Sequence, residues 1–180
     1  GRQRNGHDAD LYLLDVAGAG LPQLVAAASG ELQALDWSLD DRQLLAVRRD
    51  AVNGDQLQLI ELASGTLRSI DPPAPDDPDR RRVLQARFAP GGRGVYYLTD
   101  QANEYLRIRF IEFDGSGARD VSPAISRDIE HFDITADGRL LAYSYGTGAG
   151  SALAIIDSRA GIEKTVTNLP SGSISTLKFD

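Results

Sequence analysis

Residues able to do chemistry are plentiful in this sequence, but few stand at a spacing that any one reaction needs. Serine hydrolysis of the α/β-hydrolase kind needs its nucleophile on a Gly-x-Ser-x-Gly turn, and no Ser here has Gly two places before it. A Ser-His-Asp arrangement needs a base. Of the two histidines, His7 lies in the terminal stretch and His131 just ahead of an apolar run, where it reads as an ordinary loop or strand residue. The chain has no Cys, which excludes thiolate nucleophiles, disulfides and cysteine-based metal sites.

Carboxylates are the next candidates. Asp76, Asp77 and Asp79 could offer oxygen ligands to a cation, but the Asp-x-Asp-x-Asp-Gly pattern is absent and Arg80-Arg81-Arg82 follows at once. The expectation is a solvated loop with local charge neutralisation, neither a metal nor a phosphate site. Gly146-Thr-Gly-Ala-Gly150 has no following Lys and leads into strand-like residues, so it reads as a hairpin connection rather than a phosphate-binding loop. No cofactor is expected. Asp36, Asp40, Asp41, Asp133 and Asp137 recur at one place in a repeat, as turn-forming and hydrogen-bonding residues do. Glu104 is the single substrate-binding candidate, because it falls on a connection between strands, where binding residues concentrate. The competing role for it is a loop salt bridge with Arg107 or Arg109. Trp37 invites a ligand-stacking role, but its equivalents are Phe88, Ile134 and Phe179, all simply large and apolar, so packing explains it.

The bulk properties narrow the partners. With 42% apolar and 25% charged residues over 180 positions, the composition is that of a folded globular chain. A net charge of −7 repels a polyanion, so no nucleic-acid partner is expected. No apolar run reaches the ~18 residues that span a bilayer, and residues 1–6 hold no signal-peptide segment. Cytoplasm and periplasm both stay open. The chain has no Met, so residue 1 does not read as a native start and a piece of a longer protein is expected.

What must position these residues is a repeat. Leu35 to Val47 recurs as Ala86 to Leu98 and as Phe132 to Ser144. This makes Trp37, Phe88 and Ile134 equivalent at intervals of 51 and 46, and Leu177-Lys-Phe-Asp180 begins a further copy. A second element, Asp55 to Leu62, recurs as Tyr105 to Phe113 and Ser151 to Ser158, with Glu61, Glu112 and Asp157 in one register and Asp15 marking an earlier copy. Between them stand Asp40-Asp-Arg, Gly91-Gly-Arg and Asp137-Gly-Arg, which carry tight-hairpin chemistry, while Asn53-Gly54 and Asn5-Gly6 signal a second hairpin. Ser64-Gly65, Gly115-Ser-Gly117 and Ala160-Gly161 turn the chain into fourth strands ending near Ile70, Val121 and Val166. No stretch sustains helical apolar spacing; even Gln23 to Leu35 is broken by Ser29-Gly30.

Four strands at a period of ~40–50 residues means propeller blades. The expected fold is all-β, a partial β-propeller of four-stranded antiparallel blades. The boundaries read as an outer half-blade over 10–25, blades over 31–70, 82–121 and 128–166, and the first strand of a next blade over 174–180. Residues 1–180 form a single propeller fragment in this reading. One twisted four-stranded sheet has apolar residues on both faces and must be covered by neighbours, so self-association through open blade faces is expected too.

Trp37-Ser-Leu-Asp-Asp-Arg, Phe88-Ala-Pro-Gly-Gly-Arg and Ile134-Thr-Ala-Asp-Gly-Arg resemble the repeat signature of TolB-type, WD40-like propellers. Arg87 to Asp100, followed by Asn103-Glu-Tyr-Leu-Arg107, is similar to the amino-terminal propeller of bacterial prolyl-oligopeptidase-family (S9) serine peptidases. That resemblance implies a propeller that caps a covalently linked α/β-hydrolase domain and restricts entry of peptide substrates, with Glu104 in the resembling segment. The alternative it leaves open is a TolB-like module that docks a protein partner. A structural array of many further repeats is a third option.

Overall fold

The computed structural model describes residues 2–3, 5, 8–18, 20–50, 54–72 and 81–180. His7, Asn53, Asp76, Asp77, Asp79 and Arg80, all singled out above, lie outside the described residues. Among the described residues there is no helix, so none is long and apolar enough to cross a membrane. The chain is an all-β, partial propeller of antiparallel blades, and it divides into two compact units, Gly1–Ala86 and Arg87–Asp180.

The first unit holds β1 (Arg2–Gln3), β2 (Ala9–Leu13), β3 (Gln23–Ala26), β4 (Glu31–Trp37), β5 (Gln43–Asp50), β6 (Gly54–Glu61) and β7 (Thr66–Ser69). They form one sheet in the order β1-β2-β4-β5-β6-β7, with β3 paired to β2. The β2–β4 joint is a single parallel bridge, Ala9 opposite Glu31, where the earlier half-blade meets the next one. Leu11, Ala26, Leu32, Leu44, Ala46 and Ile60 make its buried cluster.

The second unit holds β9 (Gly94–Thr99), β10 (Arg107–Glu112), β11 (Arg119–Asp120), β12 (Ile129–Ile134), β13 (Leu140–Thr147), β14 (Gly150–Asp157) and β15 (Ile162–Thr165). The strand β8 (Val83–Phe88) runs into it and completes a sheet ordered β11-β10-β9-β8; the other sheet runs β12-β13-β14-β15. Leu98, Leu106 and Ile108 of the former pack against Ile129, Phe132, Leu141, Tyr143 and Ala154 of the latter. Each of the larger side chains buried there contributes about 1.5–3 kcal/mol. Gly94 permits the close approach of β9 to β10, since a Cβ there would lie 2.1 Å from the Ile111 carbonyl oxygen.

The three hairpins between first and second strands share one geometry. Ser38 N–H donates to the Gln43 carbonyl at 3.0 Å, Ala89 to Gly94 at 2.8 Å and Thr135 to Leu140 at 2.9 Å. The third turn residue is left-handed each time: Asp41 at φ 55°, Gly92 at 67° and Gly138 at 70°. Asp and Gly tolerate that region where branched residues do not, which is why the Asp/Gly signature marked these turns. Trp37, Phe88 and Ile134 end the three first strands in register. Their surroundings differ in degree: Phe88 stacks on Phe113 at 6.0 Å and Ile134 is half-buried, whereas Trp37 keeps 44% exposure. Residues 174–180 carry no strand ladder, and Phe179 N–H donates to Asp133 Oδ2 on β12.

Candidate functional site

Carboxylates that recur in the repeat prove to be turn fasteners. Asp40 Oδ1 accepts from Ser38 Oγ at 2.7 Å and from the Arg42 N–H at 3.2 Å. Asp137 Oδ1 accepts from Thr135 Oγ1 at 2.7 Å and from the Arg139 N–H at 3.0 Å. These bonds, the Ser38 and Thr135 hydroxyls first, hold both exposed carboxyls below the ordinary carboxylate range. The ionised forms therefore stabilise the turns above the unfolded value of about 3.9, and that contribution disappears as pH falls through the lowered native value. We expect the double variant Asp40→Asn, Asp137→Asn to lose less stability than the parent chain between about pH 5 and pH 2. Urea midpoints across that range check it; equal losses in the two proteins would contradict the assignment.

Asp133 does something different. It is buried, accepting from Arg87 Nε at 3.1 Å and from the Phe179 N–H at 2.6 Å. Its carboxylate thus joins a first strand to the chain before it and the chain after it.

The arginine cluster needs a correction. Arg81 is not solvated: its side chain is 2% exposed, its NH1 pairs with Asp71 Oδ2 at 3.0 Å, its Nε donates to the Asp55 carbonyl at 3.0 Å and its NH2 to the Asp71 carbonyl. Arg82 lies on the surface. A guanidinium can be buried where its donors meet a carboxylate and backbone carbonyls, and nothing in the Arg-Arg-Arg pattern distinguishes which of the three finds such partners.

His131 on β12 is the cross-strand partner of Ser144 on β13, yet the Ser144 hydroxyl is fully buried with no hydrogen-bond partner. The pair has neither the contact nor the access that acyl transfer requires. Gly146 to Gly150 closes the β13–β14 hairpin, with Thr147 Oγ1 donating to the Gly150 carbonyl at 3.0 Å. Among the described residues no group of three or more His, Asp or Glu could hold a metal ion.

Glu104 lies on the connection from β9 to β10, exposed to solvent. The connection is held firmly around it. Asn103 N–H donates to the Asp100 carbonyl at 2.9 Å, and its side-chain amide donates to the Gln101 carbonyl at 3.1 Å. Leu106 N–H donates to Asp128 Oδ1 at 2.8 Å. The anticipated salt bridge does not form, because both arginines are committed elsewhere. Arg107 is buried, donating to the carbonyls of Leu106, Arg127 and Ile125, and Arg109 lies 3.1 Å from Asp120. What results is an exposed carboxylate on a braced loop, able to accept hydrogen bonds from an ammonium or N–H group.

One repeated feature escaped sequence reasoning. A residue at or next to the start of each third strand bonds to the backbone leading into the next first strand. Ala9 N–H meets the Gly30 carbonyl at 3.1 Å and Asp55 N–H meets that of Arg81 at 3.0 Å. Leu106 accepts at its carbonyl from Ile129 N–H at 3.2 Å, and Ser151 N–H meets the Gly172 carbonyl at 2.8 Å. Where this residue has a polar side chain it adds a bond: Asp55 Oδ2 accepts from Val83 N–H, Ser151 Oγ from Ile174 N–H. The clasp is made by main chain, so Ala, Asp, Leu and Ser serve equally and no residue type flags it. The one available signal was register, six residues before the acidic markers Asp15, Glu61, Glu112 and Asp157.

No protein-family profile and no curated protein matches this chain. Solved structures do. A putative TolB from Agrobacterium tumefaciens superposes with TM-score 0.71 at 16% identity, over 93% of this chain and 61% of its own. TolB from Acinetobacter baumannii gives 0.67 at 19%, over 87% and 37%. A puromycin hydrolase gives 0.65 at 17%, over 86% and 25%. The fold is therefore that of TolB and of peptidase propellers, and the chain spans less than two thirds of each of these structures.

Proposed function

We propose that the chain is a non-catalytic propeller segment of a larger serine peptidase, where it scaffolds an α/β-hydrolase domain and gates the entry of peptides. The observation that carries this reading is the run from Arg87 to Arg107. It is the segment similar to prolyl-oligopeptidase-family propellers, and it sets an exposed carboxylate, Glu104, on a braced connection. A carboxylate so placed suits the protonated amino terminus of a short peptide. A second reading, a TolB-like module that docks a protein partner, is supported by the higher TM-scores of the two TolB structures.

The test uses the full-length gene product. On the first reading a fluorophosphonate probe labels a serine outside residues 1–180. Glu104→Gln raises KM for short peptides about tenfold with kcat unchanged, the loss of one charge-assisted hydrogen bond of about 1.5 kcal/mol. A gene product that takes no label and hydrolyses no peptide overturns the peptidase reading and leaves the docking module.

A further inference from the structure

We propose that Arg127 takes the C-terminal carboxylate of the peptide whose amino terminus Glu104 holds, so that the site selects short peptides with both ends free. The inference deepens the function proposed above and rests on its reading of Glu104 as an amine acceptor.

Arg127 lies on the connection from β11 to β12, in the same unit as Glu104 and exposed like it. The buried Arg107 fastens that connection to the one carrying Glu104. Its NH1 donates to the Leu106 carbonyl at 3.0 Å and to the Arg127 carbonyl at 2.9 Å, and its NH2 donates to the Ile125 carbonyl. Asp128 Oδ1 adds a second tie by accepting from the Leu106 N–H at 2.8 Å. Glu104 thus stands two residues before one clamped carbonyl, and Arg127 bears the other. An extended peptide grows by about 3.3–3.6 Å per residue, so two or three residues bridge the pair.

The two side chains are opposite in charge. Among the described residues no carboxylate pairs with Arg127, whose side chain makes one hydrogen bond, from NH1 to the Gly146 carbonyl at 3.2 Å. The acids nearest it in sequence are engaged, Asp128 with Leu106 and Glu130 with the Ser151 hydroxyl at 3.1 Å. A guanidinium with donors to spare binds a carboxylate through two parallel N–H···O bonds. Held on connections that are locked together, Glu104 and Arg127 match the two ends of a zwitterion, and little ordering is left for binding to pay.

The test is competition between a peptide and a fluorophosphonate probe for the full-length gene product. Trialanine is expected to protect the reactive serine at a concentration about tenfold below that of its C-terminal amide, the effect of one charge-assisted pair. High salt narrows the gap. Arg127→Gln makes acid and amide equal, and Arg127→Lys, which keeps the charge without the fork, restores part of the difference. Both variants keep the backbone carbonyl that Arg107 uses, so the clamp survives. Glu104→Gln weakens both peptides alike; if it weakens neither, the reading of Glu104 fails. A parent that does not distinguish acid from amide, or an Arg127→Gln variant that still does, overturns the proposal while the reading of Glu104 stands. A gene product that takes no label loses the peptidase reading instead, and calorimetric titration of the same peptides then decides the inference by the same comparison.

Discussion

Replacing Phe132 by Ala costs the second unit about 3–5 kcal/mol, a large part of the ~5–15 kcal/mol that holds a whole domain. Phe132 is fully buried at the joint between two sheets, among Leu98, Ile108, Leu141 and Tyr143. Truncation removes its transfer free energy and leaves a cavity that two hydrogen-bonded sheets cannot collapse to fill. The measurement is urea unfolding of the chain together with hydrogen exchange. Amides of β12 to β14 lose protection, while those of Leu44 and Ile60 in the first unit keep theirs. Trp37→Ala, at a 44% exposed side chain in the equivalent repeat position, is the internal comparison and costs less. If Phe132→Ala cost under about 1 kcal/mol, the cluster would not be the core of that unit.

Arg81→Met destabilises the first unit by about 3–5 kcal/mol, because it removes a buried ion pair with Asp71 and the donors to the Asp55 and Asp71 carbonyls in one step. Arg82→Ala, one residue on but at the surface, costs under about 1 kcal/mol. The contrast separates a buried ion pair from the solvated basic loop that the triple-arginine sequence suggests. Denaturation midpoints of the two variants measured side by side decide it, and equal small effects would return Arg81 to the solvent. The defect is not expected to yield to salt, since a pair this buried is little screened.

Most of the fold was legible before any coordinates. The Asp/Gly turns, the acidic markers and the alternation of apolar residues are local features. Each reports a backbone conformation or a strand face that the residues themselves impose, and they recur at Trp37, Phe88 and Ile134 in step. Glu104 was legible as a loop carboxylate for the same reason. Its lack of a partner was not, because Arg107 and Arg109 are taken by groups 11 to 20 residues distant, at Asp120, Ile125 and Arg127. Arg81 misled for a related reason: three identical neighbours give no hint which one the fold swallows.

Local residue chemistry makes this protein a series of short meandering strands and sets where each turns, because hairpin chemistry and two-residue periodicity act within a few positions. Tertiary structure alone decided how one blade grips the next. The main-chain clasps at Ala9, Asp55, Leu106 and Ser151, the carboxylate of Asp133 between Arg87 and Phe179, and the burial of Arg81 join groups 10 to 46 positions apart. Backbone donors and acceptors are common to every residue type, so contacts made through them leave no trace in composition and come into being only when the sheets are assembled.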